Sequence, residues 1–199
     1  MKLKYLSIAA IAMILSTFAS LSFAQQKGDM RLGILVMVGG RYDNLRMCVA
    51  SKSGVKGGVI ADVMLTGRYA INDQLGMGFN VPVMRPILFG LAFKMLQFEP
   101  EMVLDFKTRV SDKIDFIAAP SLGISLHYGP DYKSDRTNRS PSFFAAGPIA
   151  GVHLGVGFKD GNGVTKNIVG IKPFYAGLFT REHGTGTVIG GVLEYQHAW

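Results

Sequence analysis

Ser125 and His127 stand two residues apart, the spacing that puts two side chains on one face of a β-strand. A serine and a histidine so placed can serve as nucleophile and general base. No acidic third member is identifiable from the sequence, and the plainer reading is a pair of small polar residues facing an interior. A second grouping is Glu99, Glu101, Asp105, Lys107 and Arg109, all of one parity, joined by Asp62, Arg68, Lys172 and Glu194 on other segments. An unpaired buried charge costs on the order of several kcal/mol. Mixed charges on one strand face are therefore read as a salt-bridged plug, with an ion-selective lumen as the alternative. The four histidines show no metal-ligand spacing, and His127 and His153 fall on neighbouring strands at different heights. Cys48 is the only cysteine, which excludes an internal disulfide and a cysteine metal site. Gly161-Asn162-Gly163 lacks the Lys and Ser/Thr of a phosphate loop and reads as a hairpin turn. Asn138-Arg139-Ser140 matches a glycosylation sequon, a short pattern given no weight here. No cofactor and no metal are expected.

Strands must position these groups, because the chain alternates with period two. From Phe116 to Tyr128, the residues Phe116, Ala118, Pro120, Leu122, Ile124, Leu126 and Tyr128 share one face, opposite Ser121, Ser125 and His127. From Phe98 to Val110, apolar Met102, Leu104 and Phe106 face away from the charged set. Six further segments follow the rule: 30–38, 59–71, 75–83, 144–158, 169–179 and 187–199. A soluble sandwich buries the apolar face. A membrane barrel turns it to lipid and fills its interior with the other. Pro82, Pro100, Pro120, Pro148 and Pro173 fall inside these segments, where each removes a ladder hydrogen bond or marks a bulge.

The links discriminate between the two. Asn72-Asp73-Gln74, Ser111 to Asp115 and Lys159 to Gly163 read as tight turns. Between them come Gly39 to Gly54, Met84 to Gln97, Gly129 to Ser142, and a shorter His183 to Gly186. Short and long links alternate, as in a barrel with tight periplasmic turns and longer outer loops. The Met84 to Gln97 link is unusually apolar. It reads first as the extension of both flanking strands, and second as an apolar flap over the mouth.

The N-terminus points to export. Lys2 and Lys4 precede an apolar run from Leu6 to Phe23 that closes on Ser22-Phe23-Ala24. This is the three-part pattern of a signal peptide. The expected division is residues 1–24 as signal and 25–199 as one barrel domain. The net charge is +7, but the basic residues are spread, which argues against nucleic acid. A local group of Lys133, Arg136 and Arg139 beside Tyr132 suits anionic lipid head groups or lipopolysaccharide.

Taken together, these features resemble the small outer-membrane barrels of the outer membrane protein A, X and W type. The resemblance covers Met30 to Trp199 as architecture. It implies an all-β, antiparallel, up-and-down eight-stranded transmembrane β-barrel in the cell outer membrane, monomeric and without a cofactor. Trp199, with Tyr195 and Leu193 at alternating positions before it, matches the signal such barrels present to the barrel assembly machinery; His197 departs from that pattern. The implied role is structural or one of surface contact, not enzymatic. Three alternatives stay open: a conduit for small apolar solutes, as the W type is thought to be; a lipid A-modifying enzyme using Ser125 and His127, although the order is Ser-x-His where the deacylase type has His-x-Ser; and a soluble periplasmic β-sandwich binding protein.

Overall fold

The computed structural model describes residues 28–135 and 141–199. The expected signal segment, Arg136 and Arg139 lie outside the described residues. The alternating segments become strands β1 (Met30–Asp43), β2 (Gly57–Ala70), β3 (Leu75–Pro82), β4 (Leu96–Phe98), β5 (Glu101–Arg109), β6 (Ile114–Pro130), β7 (Ser142–Lys159), β8 (Thr165–Thr180) and β9 (Gly184–Ala198). Every pairing is antiparallel between neighbours, and β1 pairs with β9 to close the ring. β4 and β5 are two pieces of one stave. Leu96 lies opposite Tyr128, Phe98 opposite Leu126 and Glu101 opposite Gly123, one unbroken register. The break falls at Glu99-Pro100, where proline has no N–H to donate. Nine segments thus make eight staves.

The other prolines act according to place. Pro82 ends β3. Pro120, Pro148 and Pro173 stay within strands and face outward. The β7–β8 pairing lapses beside Pro148, between Ala146–Phe179 and Ile149–Ala176, and again beside Pro173.

Turns close one end of the barrel. Asn72 Oδ1 accepts hydrogen bonds from the Gln74 and Leu75 amides at 2.9 and 2.8 Å. Asp160 Oδ1 accepts from the Asn162 and Val164 amides at 2.9 and 3.0 Å. These side chains mimic a backbone turn, as their type predicts. The longer links lie at the opposite end. β1 runs past the expected stop at Val38 to Asp43, so its link shortens to 44–56. The last link shrinks to 181–183, no longer than a turn, so the alternation of link lengths stops there.

The 84–97 link departs from its first reading. The flanking strands do not extend through it. Met84–Gly90 forms a short helix, α1, and β4 resumes only at Leu96. Without a partner strand above Pro82, the apolar residues satisfy their backbone locally by turning helical.

Inside, one wall carries an apolar cluster that includes Leu35, Met64, Ile149, Phe174, Leu178 and Val188. Leu45 from the first long link drops into it and is fully buried. Gly186 makes room, since a Cβ there would lie 2.2 Å from Leu45 Cδ1. Phe174 and Leu178, large apolar residues on the inward face of β8, belong to this cluster.

Candidate functional site

The lumen is the first candidate, because the predicted charge network assembles there. Lys172 Nζ bonds Glu101, and both side chains are almost wholly buried. Glu101 also lies 3.5 Å from His153 Nε2, while His153 Nδ1 lies 2.8 Å from Glu194. Toward the turn end, Arg68 Nε pairs with Asp105 at 3.0 Å and its Nη2 donates to Asn80 at 2.8 Å. Lys107 lines the same polar recess with Arg31 and Thr165. Asp62 pairs with Arg85 of α1 at 3.4 Å. One member falls outside. Arg109 ends β5 with its side chain 67% exposed and bonds Asp112 in the turn. Its parity is inward, but parity does not say where a strand leaves the barrel.

Several interior groups were absent from the sequence reading of the plug. Arg41 pairs with Asp43 at 3.2 Å, Lys159 with Asp115 at 2.7 Å, and Arg31 Nη1 donates to the Thr165 carbonyl at 3.0 Å. Arg41 and Asp43 keep the inward parity of β1. The signal was present, but it ran through Gly39-Gly40, which looks like the start of a loop.

Ser125 and His127 do have an acidic neighbour. Ser125 Oγ lies 2.7 Å from Glu99 Oε1 and 2.9 Å from His127 Nε2, and His127 Nε2 lies 3.1 Å from the same Glu99 oxygen. The arrangement differs from a nucleophile–base–acid relay, in which the acid holds the ring nitrogen remote from the nucleophile. Here acid and hydroxyl share one nitrogen, His127 Nδ1 has no partner, and Ser125 is fully buried. His127 faces Ala145 and His153 faces Ala119 along β6–β7, so the two histidines are well separated. No metal-ligand cluster occurs among the described residues.

A second candidate lies in the wall. β2 pairs with β3 only from Met64 to Ala70, and β3 ends at Pro82. Among the described residues, the outer edge of β2 above Met64 therefore has no strand partner. It is met instead by Val83 N–H on the Val63 carbonyl and by Arg85 Nε on the Ala61 carbonyl at 3.2 Å. The result is a notch between β2 and β4, holding a cavity of about 520 Å³. Val59 and Ala61 line it from the outer face, Leu88, Phe93 and Met95 from the link, and Arg41 and Gln97 from within. Burial pushes the Cys48 thiol up, against the opposing pull of Arg41, whose Nε donates to Cys48 Sγ at 2.9 Å.

Around the barrel, the residues predicted to share the outward face are exposed, among them Met102, Leu122, Ile124, Phe144, Phe179 and Leu193. Tyr69, Phe79, Phe116, Tyr128, Phe158 and Tyr175 are exposed with them. A soluble monomer rarely shows water so continuous an apolar surface. The same residues suit lipid, and the closed ladder leaves no backbone edge across most of the wall. The chain is an eight-stranded transmembrane β-barrel.

No protein-family model matches the sequence, and no curated protein does. Among solved structures it is similar to Ail, the attachment invasion locus protein of Yersinia pestis, at 11% identity and a TM-score of 0.42, over 87% of this chain and 100% of that one. It is also similar to the N-terminal β-barrel domain of Pseudomonas aeruginosa OprF, at 11% identity and a TM-score of 0.36, over 88% of this chain and 100% of that one. The barrel assignment stands on the strand ladder and the apolar belt of this chain.

At the long-link end, Asp131 organises the predicted surface loop. Its Oδ1 accepts from the Lys133 and Ser134 amides at 3.2 and 3.1 Å, and its Oδ2 lies 2.9 Å from His183 Nε2. Lys133 is exposed and Tyr132 half-buried. Burial alone would raise the Asp131 pKa, but the Ser134 and His183 donors outweigh it and hold the carboxyl below its usual range. Because folding lowers this pKa, the clasp stabilises the loop above the ordinary aspartate value of about 3.9. That contribution is lost as pH falls through the lower folded value. The Lys133 and Ser134 amide resonances are therefore expected to titrate together below about pH 3.9. In Asp131→Asn they should not titrate; persistence of the titration would assign it to another acid.

Proposed function

We propose that the chain is an integral outer-membrane protein with a structural or surface-contact role and no enzymatic one. The observation that carries this reading is an apolar belt surrounding a filled lumen. Paired charges and the apolar cluster occupy the interior, consistent with an eight-stranded barrel that side chains just fill. The buried Ser125, sharing one histidine nitrogen with Glu99, favours an internal polar tie over hydrolysis. In this reading the barrel is exported by residues 1–24 and stands as a monomer in outer-membrane lipid. Leu193, Tyr195 and Trp199 serve its recognition by the barrel assembly machinery. Membrane fractionation and gel mobility with and without boiling test it: the unboiled protein should stay with the outer membrane and migrate faster. A protein that fractionates with the periplasm and shows no heat-dependent shift would overturn it.

Tyr132, Lys133, Arg136 and Arg139 are the proposed contact with lipopolysaccharide. Neutralising the three basic residues is expected to weaken lipopolysaccharide binding on the order of 100-fold, at about 1 kcal/mol per charge near an anionic surface. Unchanged binding would remove this loop from the contact. A second reading, a conduit for small apolar solutes, is favoured by the notch in the wall. Its path would run sideways into lipid rather than down the filled lumen, and apolar-solute uptake without single-channel conductance would be its signature.

A further inference from the structure

We infer that Asn167, His197 and Trp199 form a site on the outer face of the barrel, at its turn end, for the head group of a phosphoethanolamine lipid. His197 is polar where the outward parity of β9 calls for an apolar residue: Ile189, Leu193 and Tyr195 before it are all exposed to the surroundings of the barrel. The β8–β9 register sets Asn167 directly opposite His197. Ile34 and Phe158 flank the pair on either side along the same row. One row farther from the turns, Val36, Tyr195 and Val169 are exposed and carry the belt onward. The polar pair therefore stands where the apolar belt gives way, with Trp199 beside it. Tryptophan is enriched at that depth in membrane proteins.

The bonds within this group leave two definite atoms over. Asn167 Oδ1 accepts from Tyr195 Oη and from His197 Nδ1, both at 2.8 Å. A carbonyl oxygen only accepts, so the neutral ring carries its proton on Nδ1 and presents a lone pair at Nε2. The two N–H groups of Asn167 Nδ2 remain to donate. Both residues are half-buried, yet neither Nδ2 nor Nε2 is among the enclosed polar atoms without a partner, so both open to the outside. The His197 and Trp199 rings lie 6.0 Å apart, which puts an indole beside the free Nε2. A hydrogen-bonding group turned to hydrocarbon without a partner is costly, so the head groups of the surrounding lipid are what can answer these two.

Their chemistry selects the head group. Asn167 Nδ2 donates to a phosphate oxygen. A primary ammonium donates to His197 Nε2, and the indole face attracts the same cation. The two groups flank a single 2.8 Å bond, a separation that a phosphate and an ammonium two carbons apart can bridge. A quaternary choline nitrogen has no N–H to give the imidazole. An anionic head group gains nothing from Lys166, the adjoining cation, because Asp160 pairs with it at 3.4 Å.

The inference rests on the barrel standing in lipid, so the test uses protein in vesicles that already shows the heat-dependent gel shift. Trp199 is the only tryptophan, and its fluorescence reports the lipid beside it. In equimolar phosphatidylethanolamine and phosphatidylcholine, bromine is placed on the acyl chains of one lipid and then of the other. Quenching should show phosphatidylethanolamine enriched about fivefold at Trp199, and phosphatidylglycerol in its place should show no enrichment. His197→Phe, which restores an apolar ring, and Asn167→Val should each abolish the enrichment while keeping the gel shift. Equal quenching by the two brominated lipids, with the shift intact, would overturn the site and leave the barrel standing. Enrichment that survives both substitutions would overturn its assignment to these side chains. Equal or greater enrichment of phosphatidylcholine or phosphatidylglycerol would overturn the head group.

Discussion

Replacing Lys172 by methionine is expected to lower the folding free energy by about 3–5 kcal/mol. The side chain lies inside the barrel with 3% of its surface exposed, bonded to a Glu101 that is 1% exposed. Methionine preserves the stem that packs near the Phe174 ring, 5.8 Å from the ammonium nitrogen. What the substitution removes is the counter-charge. Glu101 is then left with His153 alone, and His153 is already engaged by Glu194. The cost comes from stranding one partner, so removing both should restore most of the loss. Lys172→Met with Glu101→Leu should come within about 1–2 kcal/mol of the parent, as buried pairs often do when exchanged for apolar side chains. Urea unfolding in lipid vesicles, followed through Trp199, reads both variants. A single substitution costing under about 1 kcal/mol would mean that water reaches the pair.

Leu122→Arg should have the second large effect, and it separates lipid from water as the solvent of the belt. Leu122 sits midway along β6 with 64% of its surface exposed. In water, an exposed leucine replaced by arginine changes stability little. At a bilayer midplane the same change costs about 2–4 kcal/mol, falling to about 0–1 near the interface. Val110, similarly exposed at 65% but beside the β5–β6 turn, supplies the depth control. Val110→Arg should be nearly silent. Equal effects at the two positions would contradict a membrane belt.

The outward face of the barrel was legible in the sequence because alternation is a local property. Phe116 to Tyr128 needed nothing beyond its own parity, and the structure places every second residue as that parity requires. What crosses between strands was not legible. Glu99 and Ser125 each faced inward in the sequence reading, but their meeting depends on the β4–β6 register, which no single strand encodes. Arg109 shows the opposite limit: its parity was right and its height was wrong. Arg41 and Asp43 were missed because two glycines hid the continuation of β1, although glycine can sit in a strand where another backbone approaches closely. A Cβ on Gly39 would lie 2.1 Å from the Gly191 carbonyl oxygen. The notch was foreshadowed by the apolar 84–97 link and by Pro82, but only the short β3 explains why that link is a helix over an open edge.

The pairing of β1 with β9 sets the order of events when the chain folds. Gly33 meets Ala198 and Asp43 meets Val188, contacts between the two ends of the described chain. Joining them closes the largest loop the barrel contains, and such contacts form late because their ordering entropy comes before any reward. Until then β1 and β9 each present a bare edge able to pair with another copy. Hairpins such as β2–β3 and β7–β8 can form while the chain is still arriving, but the last step waits for β9. Slow closure at this one seam, rather than strand formation, should govern how long the chain stays vulnerable to aggregation and how much it gains from a catalyst of assembly.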